Sequence, residues 1–242
     1  MGTTKDWFVS WFNTKYYHTL YKNRDDDEAQ LFMKNIVAFL NLKKNAKLLD
    51  LGCGKGRHAI FLNSLGFNVV GADLSSNSIA YAKQFENKTL HFYEHDMRVP
   101  FKSKFDAIFN LFTSFGFFED DAEDIKILEN IKNGLNKNGI AIIDFMNAKK
   151  VNENLIPFEE KTIDGITFKM HRFIENGFVH KQIKFFADGK NHEFIEKVKL
   201  IDFKKAEFYM KTVGFTIKHK FGNYQLEDFN EATSDRLILV LE

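Results

Sequence analysis

In "LLDLGCGKGRH", residues 48–58, an acid at Asp50 is followed by glycines at 52, 54 and 56. Glycines spaced in this way let the backbone approach a ligand with no Cβ in between. A dinucleotide loop reads G-x-G-x-x-G and would place its third glycine at position 57, where the chain has Arg57. A second acid, Asp73, closes the apolar run "FNVVGAD". An acid after a second strand can accept both hydroxyls of a ribose. A third, Asp96, lies in "EHDM". Arginine is scarce in this lysine-rich chain: Arg24, Arg57, Arg98, Arg172 and Arg236 are the full set. A guanidinium fork grips a carboxylate through two parallel bonds, which an ammonium cannot do. Arg24, in "YYHTLYKNRD", and Arg57, within the loop, are the candidates for an anionic ligand end.

These residues need elements to hold them. "AKLLDLG", "FNVVGAD", "TLHFYEHD", "FDAIFNLF" and "GIAIIDFMN" read as five strands, apolar throughout. "GRHAIFLNSLG", "SSNSIAYAKQFEN" and "DAEDIKILENIKNGL" read as helices between them. Strands apolar on both faces, alternating with helices, predict a doubly wound α/β fold with a mostly parallel sheet. Ligands of such sheets bind beyond the carboxyl ends of the strands. Upstream, "RDDDEAQLFMKNIVAFLNL" predicts a helix, with Asp25 and Glu28 spaced as a capping box. After Pro157 the texture changes. Short alternating runs are broken by "DG", "NG" and "DG", which predicts three or four antiparallel strands joined by tight turns. "DFKKAEFYMKTVG" returns to a helix, and "FTIKHKFG" and "SDRLILVLE" end the chain as strands. The expected organisation is one domain over 1–242, with an N-terminal helical cap over 1–45 and a β-hairpin insertion over 155–201.

The residues from 46 to 147 resemble the class I S-adenosylmethionine-dependent methyltransferases. "LLDLGCGKGRH" is similar to their first motif, "VVGADLS" to the second, "EHDM" to the loop after the third strand and "FNLFTSFGFF" to the segment after the fourth. The resemblance implies a Rossmann-like, seven-stranded sheet closed by an antiparallel hairpin, with S-adenosyl-L-methionine as cofactor. It implies contacts to the cofactor from Asp50, Gly52, Cys53, Gly54, Asp73, Leu74, Asp96, Met97 and Asn110. The chemistry agrees. This cofactor has no phosphate to cradle. Gly52 and Gly54 open the backbone to its amino-acid end, and Asp50 can orient its ammonium through water or backbone. Asp73 suits its ribose, and Asp96 its adenine amine, with Met97 packed on the ring. An aromatic and basic N-terminal segment covers the cofactor in similar small-molecule enzymes. Here Arg24 is the expected partner of the cofactor carboxylate and Tyr21, or Tyr17, the residue closing the pocket. Arg57 is the other candidate for that carboxylate.

Several classes drop out. The 34 basic and 33 acidic residues leave a net charge of +1, with no global pull toward nucleic acid. The place after the fourth strand reads "NLFTSF", without the Asn/Asp-Pro-Pro-aromatic motif of exocyclic-amine nucleic-acid methylases. Cys53 sits in the wrong loop for a cytosine-C5 nucleophile, and as the single cysteine it excludes Cys-rich zinc sites. No metal is expected, although Asp144 and Asn147 carry a faint hint of one. No apolar run reaches the ~20 residues that span a bilayer, so the expectation is a cytoplasmic protein without membrane partners. The expected reaction is methyl transfer to N or O of a small molecule, with the hairpins as substrate roof or homodimer contact. Candidates for a general base are His171, His180 and Tyr224; Arg172 is a further polar residue of the hairpins. The alternatives are a catalytically silent cofactor-binding module and an NAD(P)-dependent oxidoreductase. The latter would have to tolerate Arg57 where close packing favours glycine.

Overall fold

The computed structural model describes residues 7–22 and 26–242. Two short helices, α1 (Trp7–Phe12) and α2 (Lys15–Leu20), precede a long one, α3 (Asp26–Leu40). There follow β1 (Lys47–Leu51), α4 (Arg57–Ser64), β2 (Asn68–Asp73), α5 (Ser76–Ala82), β3 (Leu90–Glu94), β4 (Phe105–Asn110), α6 (Asp121–Gly134) and β5 (Leu135–Met146). Next come α7 (Ala148–Glu153) and four strands, β6 (Phe158–Ile163), β7 (Ile166–Glu175), β8 (Phe178–Ala187) and β9 (Lys190–Lys199). The chain closes with α8 (Phe203–Val213), β10 (Ile217–Phe221) and β11 (Arg236–Leu241).

Seven strands form one sheet in the order β3-β2-β1-β4-β5-β11-β10, with only β11 running against its neighbours. The strand order reverses at β1, so a crevice opens where β1 and β4 end side by side. Both faces are covered, as the apolar strands predict. Leu49, Leu51, Ile143, Leu239 and Leu241 point into a core shared with α1, α6 and α8. Leu48, Ile142, Ile238 and Val240 point the other way, against α3, α4 and α5.

The second sheet, in the order β6-β7-β8-β9, is antiparallel. Its turns are Asp164-Gly165, Asn176-Gly177 and Asp188-Gly189, all six residues at positive φ. Two left-handed residues in a row make the tight turn whose twist matches a hairpin. Four strands therefore stand where the turn signals predict three or four. α7 is a finding that the sequence reading lacks. Asn147 caps it, its side chain accepting from the Lys149 N–H at 3.2 Å. That capping gives Asn147 a structural use in place of the metal hint. Asp25, of the expected capping box, lies outside the described residues. No helix among the described residues is long and apolar enough to cross a membrane.

The second sheet is tied to the first unit by a buried cation. Lys199 at the end of β9 is 3% exposed, and its Nζ donates to Asp124 Oδ2 at 2.5 Å and to Asp121 Oδ1 at 2.7 Å in the first turn of α6.

Candidate active site

The crevice at the ends of β1 and β4 holds two adjoining cavities. One, of about 620 Å³, is lined by Leu51, Gly52, Asp73, Leu74, Ser75, His95, Asp96, Met97 and Ser114, and by Phe8, Val9, Phe12, Phe117 and Phe118. The other is a larger, more open cleft, which shares Gly52, Asp73, Phe12, Ser114 and Phe117 with the first. Cys53, Gly54, Arg57, Tyr17, Tyr21, Thr113, Met146, Glu196 and Arg236 are among its walls.

The loop between β1 and α4 separates the cavities, and its glycines have different tasks. Gly54 has φ +54°, and a Cβ built on it would meet nothing within 4 Å. That open side faces the cleft, so a side chain there would occupy ligand space. Gly56 has φ +86°, and its Cβ would lie 2.7 Å from the Phe92 ring of β3. The third glycine thus serves packing, not a phosphate.

Asp73 anchors this loop. Its Oδ2 accepts from the Gly54 N–H and its Oδ1 from the Ser75 N–H, both at 2.8 Å. Burial pushes its carboxyl above the usual range, and those backbone bonds oppose the push. A carboxylate has about four lone-pair sites, so acceptor capacity remains for a ligand hydroxyl. Asp96, next to Met97, lines the smaller cavity while Arg98 forks onto it from Nε and Nη2. Although burial works against it, Arg98 holds the Asp96 carboxyl below its ordinary value.

Asp50 and Asn110 line neither cavity and lie beneath the loop. Asp50 is 1% exposed and accepts from the Ala59 N–H at 3.1 Å, in the first turn of α4. Burial pushes its pKa up to about 7, against the pull of the Ala59 bond. An acid whose folded pKa is raised binds its proton more tightly in the folded state. Stability is then greatest below the unfolded value near 4 and falls as pH climbs to about 7. Asp50→Asn keeps an acceptor for Ala59 and removes the charge. Its melting temperature is expected to exceed that of the parent at pH 8 and to match it near pH 4. A parent whose stability is flat across this window would contradict the assignment.

Asn110 donates to the Leu51 carbonyl at 3.0 Å and holds β4 to β1 at the crevice. Cys53 is buried, and burial pushes its thiol up, which suits a packing role. Arg24 lies outside the described residues. Arg57 lines the cleft with its guanidinium 4.9 Å from the Phe112 ring centroid.

The segment after β4 is held in an unusual form. Phe112 and Thr113 have φ of 54° and 64°, left-handed values that bulky and β-branched residues resist. Asp144 compensates: its Oδ2 accepts from the Phe112 N–H at 2.8 Å, and its carbonyl from the Thr113 N–H at 3.0 Å. Arg236 completes the clamp from Nε to Asp144 at 2.8 Å and from Nη2 to Thr113 Oγ1 at 3.0 Å. Tyr224 donates to Asp144 Oδ2 at 3.1 Å, and burial drives its pKa upward, so it is a member of this clamp. His171 stacks on Phe158 and His180 on Phe173 in the second sheet. Arg172 pairs with Glu159 at 2.5 Å. His171, Arg172, His180 and Tyr224 are not among the residues lining either cavity.

Two sets of lining residues escape the sequence reading. The Phe8, Val9 and Phe12 side chains of α1 were legible only as an aromatic cluster in a chain with 28 phenylalanines. Glu196 carried no signal, because alternation along β9 does not say which face meets the cleft.

A doubly wound sheet with an acid-anchored glycine loop and an apolar cavity beyond β1, β2 and β3 defines a Rossmann-like, class I S-adenosylmethionine-dependent methyltransferase. The residues fit that cofactor: Asp73 keeps acceptor capacity, Gly54 leaves space, and Leu74, Asp96 and Met97 bound a mostly apolar cavity. Residues 42–207 match the methyltransferase domain family, and the chain belongs to it. It is 29% identical over 117 residues to the putative methyltransferase YqeM of Bacillus subtilis, a match covering 47% of each chain, so it spans about half of that relative. It is 23% identical over 238 residues to a putative methyltransferase of Geobacillus sp., covering 93% of this chain and 96% of that one. Its fold matches an S-adenosylmethionine-dependent methyltransferase from Clostridium acetobutylicum with TM-score 0.80 and 22% identity, over 94% of this chain and 95% of that one. It also matches CalS10, an amino pentose methyltransferase from Micromonospora echinaspora, with TM-score 0.69 and 19% identity, over 94% and 96% of the two chains.

Proposed function

We propose that this protein methylates nitrogen or oxygen of a small molecule. The carrying observation is the cleft that adjoins the smaller cavity and shares Gly52 and Asp73 with it. It is walled by Tyr17, Tyr21, Thr113, Met146, Glu196 and Val198, from four separate parts of the chain. A recess of that kind suits a compact acceptor better than a nucleic-acid duplex. The likeness in fold to an amino pentose methyltransferase is consistent with this reading.

The cofactor, when bound, supplies an electrophilic methyl group on a sulfonium. The chain's own part is positioning, which can account for much of the rate of such a displacement. Asp73 would hold the ribose, Asp96 and Met97 the adenine, and the Gly52–Gly54 backbone the amino-acid end. α1 and α2 would shield the site from water. In this reading the four-stranded insertion roofs the acceptor side of a single domain that works in the cytoplasm.

Calorimetry should detect S-adenosylhomocysteine binding, and labelled methyl groups should pass into a metabolite extract. Binding without any transfer, over a broad acceptor panel, would instead favour a silent module. NAD(P) binding without a response to S-adenosylhomocysteine would favour an oxidoreductase.

A further inference from the structure

Glu196 lies on β9, directly across from Lys181 on β8. Among the described residues lining the cleft, it and Asp73 are the two carboxylates. Its Oε1 accepts from Trp11 Nε1 at 2.7 Å and from Tyr21 Oη at 2.7 Å. Its Oε2 accepts from Tyr21 Oη at 2.8 Å and lies 3.6 Å from Lys181 Nζ. Lys181 in turn donates to Tyr21 Oη at 2.5 Å. Two donors, from α1 and the end of α2, and the Lys181 ammonium of β8 as an ion-pair neighbour thus fix the carboxylate in one orientation. Oε2 retains capacity for another donor.

Trp11 and Tyr21 bond to this carboxylate, Tyr17 packs against both with ring centroids 5.7 and 5.0 Å away, and Trp7, Phe12 and Phe117 also line the cleft. A carboxylate beside aromatic rings accepts readily from the N–H of a neutral amine, whose lone pair stays free to take the methyl group. Among the described residues, the Lys and Arg side chains of the cleft wall each have a partner other than Glu196: Lys22 pairs with Asp164, Lys55 lies over Tyr81, Arg57 lies over Phe112, and Arg236 pairs with Asp144.

A hydroxyl acceptor usually needs a base, whereas a neutral amine needs none. The cleft histidines are poorly suited to that role. Burial, with Lys55 nearby, lowers the His18 pKa to about 4, and His58 is stacked on Phe112. Asp73 is committed to the glycine loop.

We propose that the acceptors are amines and that Glu196 selects them, its Oε2 accepting a hydrogen bond from the acceptor N–H. This rests on the small-molecule methyltransferase reading and narrows it to one substrate class. Glu196 is a binding and specificity residue here, with no proton transfer assigned to it.

The test uses the whole protein saturated with S-adenosylhomocysteine and a panel pairing each primary amine with the alcohol of the same skeleton. Calorimetry should show amines binding at least tenfold more tightly than their alcohols. Glu196→Gln keeps an acceptor oxygen for Tyr21, so the fold should persist, checked by its melting temperature. It should weaken amine binding about 10- to 100-fold, a charge-assisted hydrogen bond's worth. Binding of the alcohols and of S-adenosylhomocysteine should not change. With methyl donor present, KM for amines should rise more than kcat falls. Equal binding of amines and alcohols, or amine binding indifferent to Glu196→Gln, overturns the proposal. Methylation of the alcohols alone overturns it and leaves the parent reading standing. Transfer to neither class, with the cofactor product still bound, overturns both.

Discussion

Asp73→Ala is expected to weaken S-adenosylhomocysteine binding by about 1–3 kcal/mol, roughly 5- to 150-fold. The upper part of that range is expected because the carboxylate has two tasks. In the proposed reading it accepts from the ribose, and it clips the Gly54 N–H at 2.8 Å. Alanine abolishes both, and Gly54 loses the partner that holds its open side toward the cleft. Asp73→Asn retains one oxygen but turns an amide donor toward a backbone N–H, so it should fall between the two. Calorimetry measures the affinity, and a melting curve separates a loosened loop from an unfolded one. Unchanged affinity in Asp73→Ala would reduce the residue to a local cap.

Lys199→Met should lower the stability of the whole chain by about 3–5 kcal/mol. The cation is 3% exposed and Asp124 is fully buried, so its removal strands a carboxylate that no water can reach. For a chain of this size the melting temperature should fall by roughly 6–20 °C. The loss should depend on pH in a defined direction. Burial already raises Asp124 to about 6 despite Lys199, and without the cation it must go higher. A raised acid is least costly when protonated. The deficit should therefore be small near pH 4 and grow as pH rises through about 6 toward 8. Lys199→Met combined with Asp124→Leu should recover much of the loss at pH 8. A deficit independent of pH would mean that lost packing, and not the stranded carboxylate, is responsible.

The parts of the fold that were legible are those governed by short-range rules. "DG", "NG" and "DG" name turns because only such residues accept two left-handed conformations in succession. The strands around Leu48, Val69, Ile108 and Ile142 announce themselves by being apolar on both faces. α7 was missed because its six residues, "AKKVNE", have no apolar stripe and depend on the Asn147 cap. The smaller cavity was half legible. Gly52, Asp73, Leu74, Asp96 and Met97 line it. Tyr21, Cys53 and Gly54 line the cleft. Asp50 and Asn110 come from the same motifs but serve beneath the loop, since neighbours on a strand point to opposite faces.

What the sequence determined by itself is the cofactor end of this protein. The glycine spacing, the missing glycine at 57 and the acids after two strands are local features, and the backbone they dictate is local too. The larger cleft, the proposed acceptor end, was decided by tertiary structure alone. Tyr21, Thr113, Glu196 and Arg236 are separated by up to 215 positions and meet only because the sheets and N-terminal helices pack as they do. Their types matter through the distances between them, such as the 2.7 Å from Tyr21 to Glu196, and no spacing rule along the chain encodes such a distance.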